Sequence, residues 1–355
     1  MTLLTALGVL LPCLWVGLHP RQQTAVISQQ RSPQGLRVIW SGLQFQPNSS
    51  FQPRIQWIES RMQKEMLPLL PERILQAIQG ATIQVTVTRD CPRDGAFIDP
   101  EKATRNLSVC IRSSILDSDK VFALVAHEVF HAIHFLIHPD EPTWIREGLA
   151  LWMEWRASGA FNPAFFSAGI YDISTPLMGI YDFNHPNPGQ YGHDLLYFYY
   201  LWSQCGGDEL LWTIAEGLPS LTGSENIDRI LHSLSAHTKL KQCSSFIESA
   251  LNFEVARIHS KRVGPESDAR YYLTSGSPLL KPKSRDHWDQ VEWKTWPVLS
   301  PYLIEGAVKI PTTEIGHSVR EFWLGQSYPF EVLEQQPADK LVSFHRILIK
   351  LPVDN

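Results

Sequence analysis

The sequence has no surplus of basic residues. Its 31 Lys and Arg residues are outnumbered by 36 Asp and Glu residues, which gives a formal net charge of -5. It contains no run rich in Lys and Arg with interleaved aromatic residues. A protein that binds nucleic acid usually presents such a basic face. We therefore expect no nucleic-acid partner for this chain.

Pairs of cysteines separated by two residues, the CxxC spacing of many thiolate metal sites, are also missing. Five cysteines occur, and the first, Cys13, lies in an apolar N-terminal stretch. The other four permit two disulfides in three connectivities. Proximity along the sequence favours Cys91 with Cys110 and Cys205 with Cys243, although spacing leaves the other pairings open. Two disulfides would indicate an oxidising compartment.

The N-terminal stretch from 3 to 18 is almost wholly apolar, which is typical of an export segment. No Lys or Arg precedes it, no clear small-x-small cleavage site follows it, and Pro12 interrupts it. We expect residues 1–25 to be a signal peptide or a membrane anchor that attaches the chain through residues 3–18; a buried N-terminal helix is the third interpretation. Export leads to the periplasm, the cell surface or the extracellular space.

Strands and helices follow one another in a simple order. Segments rich in Val, Ile and Thr predict strands at residues 36–40, 82–88 and 107–112, with a helix at about 54–67 between the first two. From about 118 to 254 the apolar pattern becomes that of successive helices. This order predicts an α+β fold, with helices packed on one face of a small mixed sheet.

Three regions are expected along the chain. After the leader, residues 26–260 form the main domain, strand-rich at 35–115 and helical at 116–260. A loop with several Gly and Pro residues at 161–190 separates its helices. Residues 261–355 are rich in Pro, Trp and β-branched residues and predict a smaller β-rich unit, whose role the sequence leaves open.

A continuous helical pattern, opened by Asp117 or Ser118 as N-cap, contains the motif His127-Glu128-x-x-His131. Histidines four positions apart lie about 40° apart on one helical face, so both imidazoles can bind one tetrahedral zinc ion. Glu128 then lies beside the metal, where it can take a proton from a water molecule whose pKa zinc lowers to about 7. The motif predicts a site for one zinc ion with Glu128 as general base.

Glu147 is the expected third ligand. It lies in a second predicted helix, close after the first along the chain, and would complete a site of two histidines and one glutamate with a position open for water. The alternative is a solvent-facing glutamate, the usual location of this residue type. Apolar neighbours argue against that alternative: Trp144, Ile145, Leu149, Leu151 and Trp152.

These motifs together resemble the gluzincin metallopeptidases, and most closely their short peptidase-MA-like members, distant relatives of aminopeptidase N and thermolysin. The matching pieces are His127-Glu128-x-x-His131, then Trp144-Ile-Arg-Glu147-Gly148-Leu-Ala150, then Tyr191 followed by an aromatic helix that ends at Gly206-Gly207. The resemblance covers about residues 118–217 well and the preceding strands loosely. It implies zinc-dependent hydrolysis of a peptide or protein substrate.

The resemblance also implies a role for Tyr191. In the aminopeptidase N family, a tyrosine that opens a helix with a similar run to a Gly-Gly pair stabilises the oxyanion. A phenol donates a hydrogen bond to the oxygen that gains negative charge in the tetrahedral intermediate. His193 is the alternative donor, and a third interpretation is that either residue only packs against or caps the helix at 192–204.

The chain departs from aminopeptidase N in one motif. It contains no Gly-x-Met-Glu-Asn stretch, the feature with which those enzymes bind a free amino group, so aminopeptidase activity is not expected. The predicted strand at 107–112 precedes the motif helix and can pair with an extended peptide. These two features favour an endopeptidase.

Further histidines follow on the motif helix. His134 and His138 lie on the same face as His127, but about 10 and 16 Å further along the axis, too far to share its metal. We expect His134 to be a packed residue or one that supports the ligands. Glu154, two turns after Glu147, is expected to be exposed, with orientation of a ligand histidine as the alternative.

The sequence as a whole predicts an exported zinc metallopeptidase. A non-catalytic zinc-binding envelope protein of the same fold is the main alternative, but a purely structural zinc site has no use for Glu128. Hydrolysis of a non-peptide amide or ester by the same site also stays open. The oligomeric state is not readable from the sequence.

Overall fold

Two β-sheets and a set of helices make up the protein, shown here by a computed structural model. The structure describes residues 24–31, 36–43, 51–91, 96–98, 106–171, 177, 187–237, 243–259, 301–305, 317–324, 328–335 and 347–351. The expected α+β class is confirmed, because a small sheet precedes a helical unit and further strands lie towards the C-terminus. The apolar stretch at 3–18 lies outside the described residues. Among those that are described, no helix is long and apolar enough to cross a membrane.

The first sheet has five strands in the order β1-β2-β3-β5-β4. Its strands are β1 Thr24–Arg31, β2 Arg37–Leu43, β3 Thr82–Thr88, β4 Ala96–Ile98 and β5 Asn106–Arg112. The central strands β2, β3 and β5 run parallel, and β1 and β4 pair antiparallel at the two sides. The three predicted strands are therefore confirmed as the parallel centre of the sheet.

The position of β5 corrects one prediction. Its residues Val109, Cys110 and Ile111 pair with the whole of β4, while its other side pairs with β3. The strand predicted at 107–112 is thus an inner strand, and the outer position on this side belongs to β4. Only three residues of β4 are paired, which is too short a run to give an alternating apolar pattern in the sequence.

Helices α1 and α2 lie between strands β2 and β3, and α3 to α9 follow β5. Their bounds are α1 Phe51–Arg61, α2 Glu72–Ala77, α3 Val121–Ile137, α4 Thr143–Ser158, α5 Pro163–Tyr171, α6 Pro188–Tyr200, α7 Gly207–Glu216, α8 Gly223–His237 and α9 Phe246–His259. A π-helical turn, Met62–Met66, extends α1, and a second one, Leu201–Gly206, extends α6. The aromatic helix α6 ends at the Gly-Gly pair as predicted, because Gly207 adopts a positive φ of 64° that breaks it.

The predicted loop at 161–190 contains a helix, α5, and this prediction is corrected. Pro163 occupies the first position of α5, where proline costs no backbone hydrogen bond. The side chain of Asn162 accepts a hydrogen bond from the backbone of Ala164 at 3.2 Å and so caps the helix. Gly169 serves the approach of a neighbouring helix, as described below, and does not mark a turn.

Helix α3 is buried on almost every side, as expected for a helix that is apolar all round. Phe130 packs against Trp152 of α4 and Trp212 of α7, with ring centroids 6.3 and 5.7 Å apart. The predicted N-cap is wrong, because Lys120 precedes the first turn without a side-chain cap, whereas Ser118 accepts from the backbone of Lys120 at 3.2 Å. Ser118 therefore stabilises the turn before the helix.

Both predicted disulfides are present. Cys91 and Cys110 join the end of β3 to β5, with their Cα atoms 5.9 Å apart. Cys205 and Cys243 join the end of the α6 extension to the start of α9, with a Cα separation of 5.6 Å. Two disulfides indicate an oxidising environment.

The second sheet lies towards the C-terminus and has four strands in the order β6-β9-β8-β7. They are β6 Pro301–Glu305, β7 His317–Leu324, β8 Tyr328–Gln335 and β9 Ile347–Leu351. Strands β6 and β9 are parallel, and the other neighbours are antiparallel. The predicted β-rich character of this region is confirmed for the described strands.

Candidate metal centre

Two packed helices bring the three predicted ligands together. His127 and His131 lie one turn apart on α3, and Glu147 lies in the second turn of α4. Only five residues separate the two helices, so α4 folds back along α3 and faces the histidines. The structure therefore gathers residues that are up to 20 positions apart in sequence into one buried group.

The ligand atoms form a compact triangle. The Nε2 atoms of His127 and His131 are 3.0 Å apart, and Glu147 Oε2 lies 3.3 and 3.4 Å from them. Each side chain belongs to a residue that is no more than 8% exposed. A buried set of two imidazole nitrogens and one carboxylate oxygen at these distances could hold a metal ion.

Without a metal, the triangle behaves as a buried ion pair. Burial alone would lower the pKa of His127, but the nearby carboxylates of Glu147 and Glu154 outweigh it and raise the pKa well above its usual value. Burial opposes the charge of Glu147 as well, yet the two histidines beside it hold its pKa far below that of an ordinary carboxyl. A bound cation would take the place of the proton between these groups.

Glu154 supports the first histidine from behind. Its Oε2 atom lies 3.4 Å from Nδ1 of His127, on the side of the ring opposite the metal triangle. Glu154 is 8% exposed, so the expectation of a solvent-facing carboxylate is wrong and the alternative, orientation of a ligand histidine, fits its position. The carboxylate shares the face of Glu147 because seven residues are almost two helical turns.

Glu128 follows His127 in α3, in the turn between the two histidines, and is buried with them. Burial is the main cause that raises the pKa of its carboxyl above the usual value. Among the described residues, its carboxylate has no hydrogen bond or ion pair. The charges of His127 and His131 act in the direction opposite to burial and favour the ionised carboxylate.

The two candidate oxyanion donors lie on different sides of α6. Tyr191 is half-buried in the first turn, and its ring stacks on that of Phe165 in α5 with centroids 5.1 Å apart. His193 is fully buried, and its Nε2 lies 2.5 Å from Glu254 in α9. Two residues along a helix turn by about 200°, so the two side chains cannot serve the same face.

Helix α6 also lies against α4, the helix that contains Glu147. Gly148 follows Glu147, and an added Cβ at that position would overlap the ring of Phe198 and lie 3.4 Å from Cβ of Asp194. Asp194 is nearly one turn after Tyr191 on α6. The absence of a side chain at Gly148 therefore lets the helix of Tyr191 pack directly beside the metal ligand.

The second pair of histidines, His134 in the last turn of α3 and its C-cap residue His138, lies apart from the metal triangle. His134 is fully buried, and its two ring nitrogens have no hydrogen-bond partner among the described residues. Nδ1 of His138 lies 3.0 Å from Glu141, which is buried in turn and accepts hydrogen bonds from Gly223 N at 2.8 Å and Asn226 Nδ2 at 2.7 Å. As expected, neither histidine joins the ligands.

The sequence missed the stacking of Phe165 on Tyr191, because α5 was expected to be a loop. The signal for Glu154 was present, since its spacing from Glu147 repeats the helical period. Neither a known family model nor a curated protein matches the chain.

Proposed function

We propose that the protein is an exported zinc metallopeptidase of the gluzincin type, with one zinc ion held by His127, His131 and Glu147. Zinc bonds to nitrogen and oxygen are about 2.0–2.2 Å long, so tetrahedral ligands lie about 3.3–3.6 Å apart. The three ligand distances of 3.0, 3.3 and 3.4 Å come close to this spacing. This triangle is the observation that carries the proposal.

The donor set favours a catalytic ion over a structural one. Structural zinc sites are closed by four protein ligands, whereas catalytic sites use three and keep one position for water. Within the part of the chain that the structure describes, the group consists of three ligands. Glu128 lies beside it as a carboxylate that a structural site does not need.

The residues have distinct roles in the proposed reaction. A zinc ion at this site would acidify a water molecule and polarise the scissile carbonyl group. Glu128 accepts a proton from the attacking water while the water oxygen bonds to the carbonyl carbon. The phenol of Tyr191 donates a hydrogen bond to the developing oxyanion. Glu128 then gives the proton to the amide nitrogen as the carbon–nitrogen bond breaks, which leaves a carboxylic acid and an amine.

An extended peptide is the proposed substrate. Within the described sheet, β4 is the outermost strand on the side that follows β5, and it packs against α3. A peptide that pairs with its outer side by backbone hydrogen bonds would run beside the metal helix. This arrangement favours endopeptidase activity and moves the expected strand addition from β5 to β4.

The compartment is part of the proposal. The disulfides indicate oxidising surroundings, and the apolar stretch at 3–18 would supply the export signal. Periplasmic, cell-surface and extracellular locations all meet this condition. Expression in an oxidising compartment is accordingly the right setting for the test.

The test compares the full-length parent with Glu128→Gln. Bound metal is measured by elemental analysis and cleavage by the release of fluorescent fragments from labelled casein. We expect about one zinc per chain in both proteins and a loss of cleavage of at least about 100-fold in the variant. Zinc in both proteins without cleavage by the parent would favour the non-catalytic zinc-binding protein, and absence of zinc from both would refute the site.

A further inference from the structure

Helices α6 and α9 are joined by three contacts in regular antiparallel order. The disulfide Cys205–Cys243 joins the end of the α6 extension to the start of α9. The hydroxyl groups of Tyr197 and Ser249 lie 2.8 Å apart in the middle. His193 near the start of α6 then meets Glu254 in the second half of α9. As residue numbers fall along α6, they rise along α9, so α9 runs antiparallel to α6 from His193 to the end of its extension.

The contact nearest Tyr191 is a fully buried charged triad. Glu254 Oε1 faces His193 Nε2 at 2.5 Å, and Glu254 Oε2 accepts from Nε of Arg257 at 2.9 Å. All three residues have no exposed surface. A buried carboxylate with a guanidinium and an imidazole on its two oxygens is compensated in place, and loss of the guanidinium leaves the carboxylate with the imidazole alone.

Arg257 extends the triad to a third helix. Its Nη1 atom donates a hydrogen bond of 3.0 Å to the backbone oxygen of Gly169 in α5. At this point α5 crosses α6 with Gly169 against Gly192, and an added Cβ on either glycine would overlap the backbone of the other helix. The arginine thus fixes α5 at the place where the two backbones touch.

The crossing lies beside Tyr191. Gly192 is the next residue in the chain, and Phe165, one turn before Gly169 on α5, stacks its ring on that of Tyr191 at an angle of 16°. Movement of α5 would therefore change the surface on which the phenol rests. Two glycines, one stacked ring and one arginine hydrogen bond hold this surface in place.

We propose that His193, Glu254 and Arg257 form a positioning triad for Tyr191, which makes His193 a positioning residue and not a hydrogen-bond donor to the substrate. The proposal rests on the proposed function, because Tyr191 is taken as the oxyanion donor. Arg257 and Glu254 act through α5 and the start of α6 and touch no reacting atom. The third interpretation of His193, a packed residue, acquires a function in this way.

Hydrogen exchange of the zinc-loaded full-length protein tests the mechanical part of the proposal, that Arg257 holds α5 and the start of α6 in place. Arg257→Met removes the bond to Gly169 and the charge beside Glu254. We expect backbone exchange in α5 and the first turn of α6 to become at least tenfold faster, while α3 and α4 keep the parent rates. Arg73→Met is the matched control, because Arg73 joins α2 to Glu209 and Glu216 of α7, away from the triad. Unchanged exchange in α5 and α6 of the Arg257 variant would overturn the proposal.

Arg257→Lys carries the same test should the methionine variant fail to fold. It keeps a positive charge beside Glu254 but replaces the planar guanidinium that reaches both Glu254 and Gly169. Exchange intermediate between the parent and the methionine variant is expected. Exchange equal to the parent would mean that the guanidinium contact with Gly169 does not hold α5.

A kinetic cycle tests the catalytic part with labelled casein as substrate. Arg257→Lys should lower kcat about tenfold and leave KM within about twofold, because a displaced donor acts in the transition state. Tyr191→Phe should lower kcat about 100-fold or more, and adding Arg257→Lys to it should cause no further loss. Additive losses would show that Arg257 is merely structural and overturn the positioning role.

The outcomes separate this inference from the proposed function. Full kcat in Tyr191→Phe, with cleavage still abolished by Glu128→Gln, would refute the role of Tyr191 and its triad while the peptidase stands. Full cleavage by Glu128→Gln would refute the proposed mechanism, and with it the catalytic part of the inference. The exchange experiment decides the mechanical part in either case.

Discussion

Two pairs of histidines, His127 with His131 and His134 with His138, differ in what surrounds them. His127 and His131 point at Glu147, and Glu154 stands behind the first of them. His134 has no hydrogen-bond partner within the described residues, and His138 faces Glu141. Both pairs are four positions apart in sequence, so this spacing alone does not make a metal site. The acidic residues that neighbouring elements supply make the difference.

The acidic residues beside the two pairs, Glu147 and Glu141, differ in the groups that their oxygens contact. Glu147 presents one oxygen to both histidines and uses it for nothing else among the contacts described. Glu141 accepts hydrogen bonds from Gly223 and Asn226, both in the first turn of α8. A carboxylate that accepts backbone and amide hydrogens stabilises the fold, whereas one that faces only imidazoles is available to a cation. The first pair is thus suited to chemistry and the second to structure.

The largest expected effect separates the two pairs directly. His131→Ala should weaken zinc binding about 1000-fold, because one of three protein ligands is lost. His134→Leu, three residues further on the same face, should bind zinc within about twofold of the parent. Competition with a chromophoric zinc chelator measures both affinities. Equal losses in the two variants would mean that the histidines act together and that the assigned triangle is wrong.

Glu154→Gln should have the next largest effect. The amide keeps the shape of the side chain but removes the charge behind His127, so zinc affinity should fall about 10- to 100-fold. The same chelator titration on Glu141→Gln supplies the control, since that residue supports only the second pair. If Glu154→Gln binds zinc as tightly as the parent, the contact at 3.4 Å has no part in holding the metal.

Glu141→Ala should lower the stability of the fold and leave zinc binding unchanged, the opposite of what is expected for the first pair. The change leaves the backbone of Gly223 and the amide of Asn226 without their buried acceptor, so the free energy of unfolding should fall by about 2–4 kcal/mol. Zinc affinity should not change. Urea unfolding of the zinc-loaded protein measures the loss, and Glu65→Ala, which breaks the partly exposed pair with Arg61, should cost no more than about 1 kcal/mol. Equal losses in both variants would contradict the structural role of Glu141.

The smallest effect is a dependence of stability on pH. In the protein stripped of metal by a chelator, the carboxylates of Glu147 and Glu154 overcome burial and keep the pKa of His127 well above its ordinary 6.5. A raised pKa stabilises the fold fully below pH 6.5, and this contribution is lost as the pH rises through the folded value. The metal-free protein should therefore lose stability above about pH 6.5, measured as a fall in Tm.

Zinc-loaded protein is the control for the pH titration. Its His127 holds the metal in place of the proton, so the fall in Tm above about pH 6.5 should be absent. Parallel curves with and without metal would show that the metal does not bind where the proton does.

Local geometry explains what the sequence could predict. His127, Glu128 and His131 lie in a single helix, where the period alone fixes their relative directions. Glu147 could be predicted because the connection to α4 is short and its neighbours are apolar. The inner position of β5 could not, since it depends on β4, a strand of three residues. Glu154 was expected to be exposed because glutamate usually is, although its spacing of seven residues places it on the same helical face as Glu147.

Tertiary contacts explain the rest. Gly169 and Pro163 read as loop residues, yet one allows two helices to touch and the other begins α5. His193 was expected as a possible donor on its closeness to Tyr191 in sequence, although two residues along a helix face nearly opposite sides. Its partner Glu254 is 61 residues away, and no local pattern reveals such a pair.

X-ray absorption at the zinc edge of the purified full-length protein tests the central assignment most directly. The account predicts a single zinc environment with two imidazole nitrogens at about 2.0–2.1 Å, oxygen ligands at about 2.0–2.2 Å and no sulfur. The same spectrum from His134→Leu should be unchanged. Sulfur scattering at about 2.3 Å, or a single imidazole in the parent, would contradict a site formed by His127, His131 and Glu147.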